Sequence, residues 1–258
     1  MSINVGETIL AKDGSLLGHT LITGAIDSRP LPNWRSDRPV ICHCGDGSTI
    51  LRLFDLFSGV YQERDVTSDW ASITAVRAGV LAGAYIYILV RDSGPSPDAW
   101  RVYRYDRTNL AAGGTLMTFS GAVTLASTDS ELRMTSDGTN FFFNYQAGNS
   151  ANDYALAKYT LSGTTFTYSS TVNLGSTGGR TAYIMGLSNG DLLGQAGRVN
   201  YRYNSTGTLQ ATGVTMANVN NNAGLVYLND FFLYIAFFNE TVDGTTTTIK
   251  GLTRVAIP

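Results

Sequence analysis

A short alternating string returns along this sequence at intervals of about 44 to 54 residues, so whatever it folds into has to be modular. Leu51-Arg52-Leu53-Phe54-Asp55-Leu56 aligns with Val102-Tyr103-Arg104-Tyr105-Asp106-Arg107. The same string continues as Leu156-Ala157-Lys158-Tyr159-Thr160-Leu161 and Asn200-Tyr201-Arg202-Tyr203-Asn204-Ser205. Gly251-Leu252-Thr253-Arg254-Val255-Ala256 is a looser fifth copy. Alternation of this kind has the period of a strand with one covered face. After four of the five copies come a short polar turn and another strand, through Ser58-Gly59, Asn109 to Gly114, Ser162-Gly163 and Ser205 to Gly207.

A second strand type precedes the first. Leu132 to Gly138 leads into Phe141 to Tyr145, and Ile184 to Gly190 leads into Asp191-Leu192-Leu193. Leu225 to Asp230 leads into Phe231 to Phe238, and Ile73 to Gly79 leads into Tyr85 to Val90. Asp137-Gly138 and Asn189-Gly190 supply the positive φ that tight hairpin turns need. The second strand of each pair is nearly continuous in apolar residues, as a strand covered on both faces must be. Each repeat thus reads as four antiparallel strands, A to D.

Four-stranded antiparallel sheets at this spacing resemble the blades of β-propeller repeat proteins. The resemblance is one of pattern and covers most of the chain. The Gly-His and Trp-Asp signatures of WD40 repeats are missing, and so is the kelch pattern. It implies an all-β, five-bladed propeller forming one domain over 1–258, with blades near 20–70, 71–120, 121–175, 176–214 and 215–258 plus 1–15. Six blades, with a partial one before Ser48, is the alternative. The last repeat stops at Pro258 after its third strand, and Ile3 to Lys12 is an unassigned strand that could complete it and leave no open edge. Asp27 to Arg38, with Pro30 and Pro32, reads as a long loop of the first blade.

Composition agrees with that architecture. Glu and Lys, which dress helical surfaces, number only four and three, while Gly, Ser, Thr, Asn and Tyr are abundant. A net charge of −2, with Arg far outnumbering Lys, offers no basic face for nucleic acid. Arg52, Arg104 and Arg202 sit at alternating strand positions, where a solvated face or a structural pair is expected of them. The start, Met1 to Glu7, lacks the basic and apolar regions of a secretory signal, and the apolar run Val80 to Val90 is too short to span a bilayer. A protein made in the cytoplasm without membrane insertion is expected. Cys42 and Cys44 flank His43, and a disulfide between such near neighbours would be strained. With His19 as the one other histidine, buried free thiols are expected rather than a metal site, and no cofactor is implied.

In a propeller the A–B and C–D turns share one face, and the B–C and D–A connections share the other. Here the B–C connections are longer and all different: Asp92 to Asp98, Gln146 to Asp153, and Asn239 to Thr247. Unequal loops on a rigid scaffold are where binding usually resides. Candidate binding residues are Asp92, Asp98, Asn149, Asn152, Asp153, Glu240 and Asp243. Trp70 and Trp100 start strands bordering that face, and Trp34 lies in the long first-blade loop. Carboxylates and carboxamides beside exposed rings suit sugars. The plainer alternative is solvated loops, with the Trp residues packed between blades.

Three classes of function compete. Some glycosidases are five-bladed propellers with carboxylates in the central channel. Asp37, Asp55 and Asp106 are candidates, but the last two recur at equivalent repeat positions, which favours a structural role. No nucleophile elbow or ligand cluster suggests other chemistry, so the chain is read as not an enzyme. A binding module is the second class. The Gly/Ser/Thr/Asn/Tyr-rich, Lys-poor composition resembles bacteriophage spike, fibre and decoration proteins. That resemblance implies a virion location and a host-surface glycan or protein as partner. A structural subunit docked on other virion proteins is the third class, and a cytoplasmic scaffold is also compatible.

Overall fold

Twenty strands and a single 3-10 turn, with no α-helix, make up the secondary structure of the described residues. In this computed structural model those residues are 34–38, 40–44, 50–55, 58–70, 72–94, 99–121, 132–146, 154–174, 183–196, 199–212, 224–228, 231–242 and 245–254. They fall into five consecutive units. The first holds β1 (Trp34–Ser36), β2 (Val40–His43), β3 (Ile50–Asp55) and β4 (Tyr61–Asp65). The second holds β5 (Ile73–Ala82), β6 (Tyr85–Asp92), β7 (Ala99–Asp106) and β8 (Thr115–Leu116), and β9 (Thr118–Ser120) follows it. The third is β10 (Arg133–Ser136), β11 (Phe141–Gln146), β12 (Tyr154–Ser162) and β13 (Thr165–Asn173). The fourth is β14 (Tyr183–Gly186), β15 (Leu192–Ala196), β16 (Val199–Tyr203) and β17 (Leu209–Thr212). The fifth is β18 (Gly224–Leu228), β19 (Phe231–Val242) and β20 (Thr245–Arg254).

Within a unit, successive strands pair antiparallel, with β1 and β2 the exception. The first strands of the units lie innermost and close a ring. β1 pairs in parallel with β18 on one side and β5 on the other, Arg35 standing opposite both Tyr227 and Val80. β5 then packs on β10, β10 on β14, and β14 on β18. The first and fifth units therefore meet through β1, far apart in sequence and adjacent in space.

The second strands explain the core. Along β6, Ile86, Ile88 and Val90 join a cluster with Leu51, Leu53, Val66 and Trp70 of the first unit and its exit segment. Tyr87 and Leu89, pointing the other way, join Met134, Phe141 and Phe143 of the third unit. Strand β11 divides likewise, with Phe141 and Phe143 toward the second unit and Phe142 toward Ile184 and Leu192 of the fourth. Side chains alternate across a strand, so a strand sandwiched between two neighbours needs apolar residues at every position. At about 25 cal/mol per Å² of apolar surface removed from water, these faces hold the units together. The outer strand β4 alternates between exposed and half-buried positions, as one covered face requires.

Several expectations change. Trp34 to Ser36 is an inner strand, buried throughout, rather than part of a long loop. Asp37 and Arg38, at the β1–β2 turn, repeat the Ser136-Asp137-Gly138 turn of the third unit. In both, the serine hydroxyl accepts the backbone N–H two residues on, Ser36 from Arg38 and Ser136 from Gly138. The second unit does not end at 120, because β9 leaves it and pairs in parallel with β13 of the third unit. The connection expected over Asn239 to Thr247 is largely strand, since β19 runs on to Val242 and Glu240 stands opposite Thr247 in the ladder. The proposed closing strand Ile3 to Lys12 lies outside the described residues. Cys42 and Cys44 are buried and not joined in a disulfide, and burial followed by the neighbouring Cys44 pushes the Cys42 thiol well up.

Candidate functional site

The strand ends divide the molecule into two faces of different character. At the turn face, side chains lock the reversals. Asp55 Oδ1 accepts the Ser58 N–H at 3.2 Å, Asp106 Oδ1 the Thr108 N–H at 2.8 Å, and Asn204 Oδ1 the Thr206 and Thr208 N–H groups at 3.1 and 2.9 Å. Asp55 and Asp106, weighed as channel carboxylates, are turn locks, as their repetition suggested. The axis is packed at the same end. Arg35 is buried and its Nε donates to Gly186 O at 3.3 Å, while the Gly186 N–H donates to Thr135 Oγ1 at 2.8 Å. A Cβ on Gly186 would stand 2.1 Å from Ser136 O, so this contact admits only glycine. Trp34, expected in an exposed loop, is fully buried beside this axis, its indole N–H donating to Val40 O at 2.7 Å.

The opposite face brings two of the candidate residues together. Asp92 ends β6 and Trp70 lies in the β4–β5 connection, and both meet one face of β7. The alternation of β7 sends Arg101, Tyr103 and Tyr105 toward the first unit and Trp100 and Val102 toward the third. Arg101 Nε lies 2.5 Å from Asp92 Oδ2, and Asp92 Oδ1 accepts the Gly94 N–H at 2.9 Å. The Ser93 N–H donates to Ser72 O at 2.9 Å, tying the two connections together. Gly94 sits so close that a Cβ there would come within 3.0 Å of Ser72 Oγ. Trp70 backs Tyr103 and Tyr105, with ring centroids 6.2 and 6.5 Å apart. Leu116 of β8 is directly opposite Tyr103 in the ladder, hence on the same face, and is 41% exposed.

Electrostatics ties these groups to a second cluster beneath them. The Asp69 carboxylate takes Arg64 Nε and Nη2 at 2.8 and 2.9 Å, the Tyr105 hydroxyl at 3.1 Å and the Gly114 N–H at 3.3 Å. Burial acts to raise the Asp69 carboxyl, but the hydrogen bonds and charge of Arg64, with Tyr105 and Gly114, hold it below the ordinary carboxylate range. Burial, and then the charge of Asp69, push the Tyr105 hydroxyl far up. The Tyr103 hydroxyl is also raised, by burial first, with Arg101 opposing and Asp92 and Asp69 adding to the rise. Among the described residues no three His, Cys, Asp or Glu side chains are grouped to hold a metal ion.

The remaining candidates are dispersed or undescribed. Trp70 and Trp100 are buried between units rather than presented as open platforms, and they face opposite sides of the second unit. Glu240 lies within β19, opposite Thr247 of β20, and Asp98, Asn149, Asn152, Asp153 and Asp243 lie outside the described residues. Arg101, Tyr103 and Leu116 escaped the sequence reading. The alternation in Trp100-Arg101-Val102-Tyr103 was the signal that could have placed Arg101 and Tyr103 on one face.

No protein-family model matches the chain, and no curated protein sequence does. Among solved structures, a gluconolactonase from Xanthomonas campestris superposes with a TM-score of 0.53 at 11% identity, over 84% of this chain and 69% of that one. The chain has a β-propeller fold. A luciferin-regenerating enzyme matches with a TM-score of 0.47 at 7% identity, over 87% of this chain and 90% of its own. A six-bladed fungal lectin from Aleuria aurantia gives 0.45 at 13%, over 94% and 80%. At such identities the likeness concerns the propeller scaffold alone, and function rests on the site.

Proposed function

We propose that this propeller is a non-enzymatic binding subunit that takes a surface glycan at the face bearing the β4–β5 and β6–β7 connections. The observation that carries this reading is the Asp92–Arg101–Tyr103–Leu116 cluster. There a half-exposed cation, a phenol ring and an exposed aliphatic side chain share one sheet face over a hydrogen-bonded base. The turn face offers the reverse, with polar groups spent on their own turns and the axis packed shut. A virion, that of a bacteriophage, is the setting that the Lys-poor, Gly/Ser/Thr/Asn/Tyr-rich composition supports. In that setting the glycan belongs to the host surface.

Binding of the purified protein to a glycan array, and its loss in a Tyr103→Ala, Leu116→Ser double variant of unchanged circular dichroism, tests the reading. Silence across the array, together with stable association to other structural proteins of a particle, would replace recognition with a docking role. Mass spectrometry of purified particles tests the setting separately.

A further inference from the structure

We propose that the ligand of this site is an acidic carbohydrate, its carboxylate taken by the Arg101 guanidinium and its sugar ring lying against Tyr103 and Leu116. This rests on the glycan-binding reading above and narrows it to one charge class.

The argument starts from how the ion pair is divided between interior and solvent. The Asp92 side chain is 13% exposed, and both of its oxygens are engaged, Oδ1 by the Gly94 N–H and Oδ2 by Arg101 Nε. Arg101 is 31% exposed, and its buried Nε meets Asp92 Oδ2 as a charge contact outside hydrogen-bond geometry. Asp92 therefore acts as a positioning residue that draws the guanidinium to this face by charge, while the Arg101 side chain stays partly open to solvent. A guanidinium held at this position suits the two oxygens of a carboxylate. A neutral sugar would leave it to water, and a cationic one would be repelled.

The ring position follows from the strand. Arg101 and Tyr103 are two residues apart on one face, so their Cα atoms stand about 6.7 Å apart along β7. Tyr103 is braced from behind by Trp70 and flanked by Leu116, which together make a small apolar step beside the guanidinium. A pyranose whose carboxylate projects from the ring edge, as in a uronic acid, spans from step to guanidinium. A flexible acidic peptide gains nothing from a fixed ring-sized step, so charge and shape together favour the sugar.

The test uses the whole chain and one polysaccharide in two forms. A uronate-rich polymer is compared with the same polymer after its carboxyl groups are reduced to alcohols, alongside poly-glutamate. Reduction is expected to weaken binding about tenfold or more, the worth of a charge-assisted hydrogen-bond pair. Arg101→Gln should give the same loss on the acidic polymer and none on the reduced one, Arg101→Lys an intermediate loss, and Tyr103→Ala a loss on both. Equal binding of the acidic and reduced forms would overturn the charge assignment while leaving glycan binding intact. Poly-glutamate binding as tightly as the uronate would overturn the sugar. Binding indifferent to Arg101→Gln, Arg101→Lys and Tyr103→Ala alike would place the ligand elsewhere. Failure on every glycan would remove the proposal together with the reading beneath it.

Discussion

Outside the apolar clusters that both possess, the seam between the first and second blades and the seam between the second and third are closed by different chemistry. At the first, Arg64 reaches from β4 to bind Asp69 twice and donates to Ala111 O at 3.0 Å, while Gln62 exchanges hydrogen bonds with Arg107 O and the Leu110 N–H. At the second, the outer seam is aromatic. Phe119 of β9 crosses from the second blade and packs its ring within 5.1 to 5.6 Å of Phe166, Phe143 and Tyr159, centroid to centroid. Ring pairs need only be apolar and edge-to-face, and small shifts cost them little. A bidentate ion pair is directional and depends on protonation. The propeller plan thus fixes where blades meet and leaves open what seals them, so the two seams should fail under different stresses.

The largest effect should come from the aromatic seam. Phe143 is fully buried at the centre of the ring cluster, and Phe143→Ala is expected to cost about 3–5 kcal/mol in urea unfolding. Trp100 fluorescence, which reports from that side of the second blade, should shift to lower urea than that of Trp70. If both indoles report one unchanged midpoint, the seam is not where stability is held. Asp69→Ala comes next, because it strands Arg64, the Tyr105 hydroxyl and the Gly114 N–H at once. About 1–3 kcal/mol is expected, now with Trp70 leading. A variant whose Trp100 signal moves first would show that the two seams are not independent.

Acid and alkali separate the seams further. The Asp69 carboxyl is held below its unfolded value of about 3.9, so its contribution is complete above that pH and is lost as pH falls through the folded value. The tyrosines run the other way. Tyr105 at the polar seam and Tyr87 and Tyr159 at the aromatic one are raised above about 10, each mainly by burial. Their contribution is present below that pH and lost as it rises. Acid should therefore loosen the first seam alone, and alkali both. Urea midpoints read through Trp70 and Trp100 across pH would show the acid limb on Trp70 only, and an equal acid limb on both would contradict the division.

What the sequence disclosed follows the same line. The aromatic seam was legible because a B strand such as Phe141-Phe142-Phe143 must be apolar on both faces wherever it sits in the stack. The polar seam was not, since Asp69 and Arg64 are unremarkable in a loop and at a strand end, and only the return of residues 110–114 brings their partners. Trp34 was misplaced for a related reason. A three-residue inner strand between proline-rich flanks carries no period of its own and is defined by β5 and β18, which are distant in sequence. At the candidate site Asp92 and Trp70 were named from residue type, whereas Arg101 and Tyr103 needed the facing of β7.

Phe119→Ala tests whether the crossing strand matters as much as the cluster it covers. The ring is 38% exposed, so only part of its area is removed from water, and a loss of about 1–2 kcal/mol is expected, again on Trp100. Tyr105→Phe is the finest probe, because Tyr105 belongs to both kinds of seam. Its ring packs against Trp70 while its hydroxyl serves Asp69, and the substitution keeps the packing and deletes one hydrogen bond to a carboxylate. About 0.5–1.5 kcal/mol should be lost near neutral pH. With one of its donors gone the Asp69 carboxyl should titrate closer to its ordinary value, which narrows the acid limb, and the alkaline limb of Trp70 should shrink because the ionising hydroxyl is absent. A neutral-pH loss with both limbs unchanged would mean that the hydroxyl acts only by filling space, and that Arg64 alone sets the charge state of the polar seam.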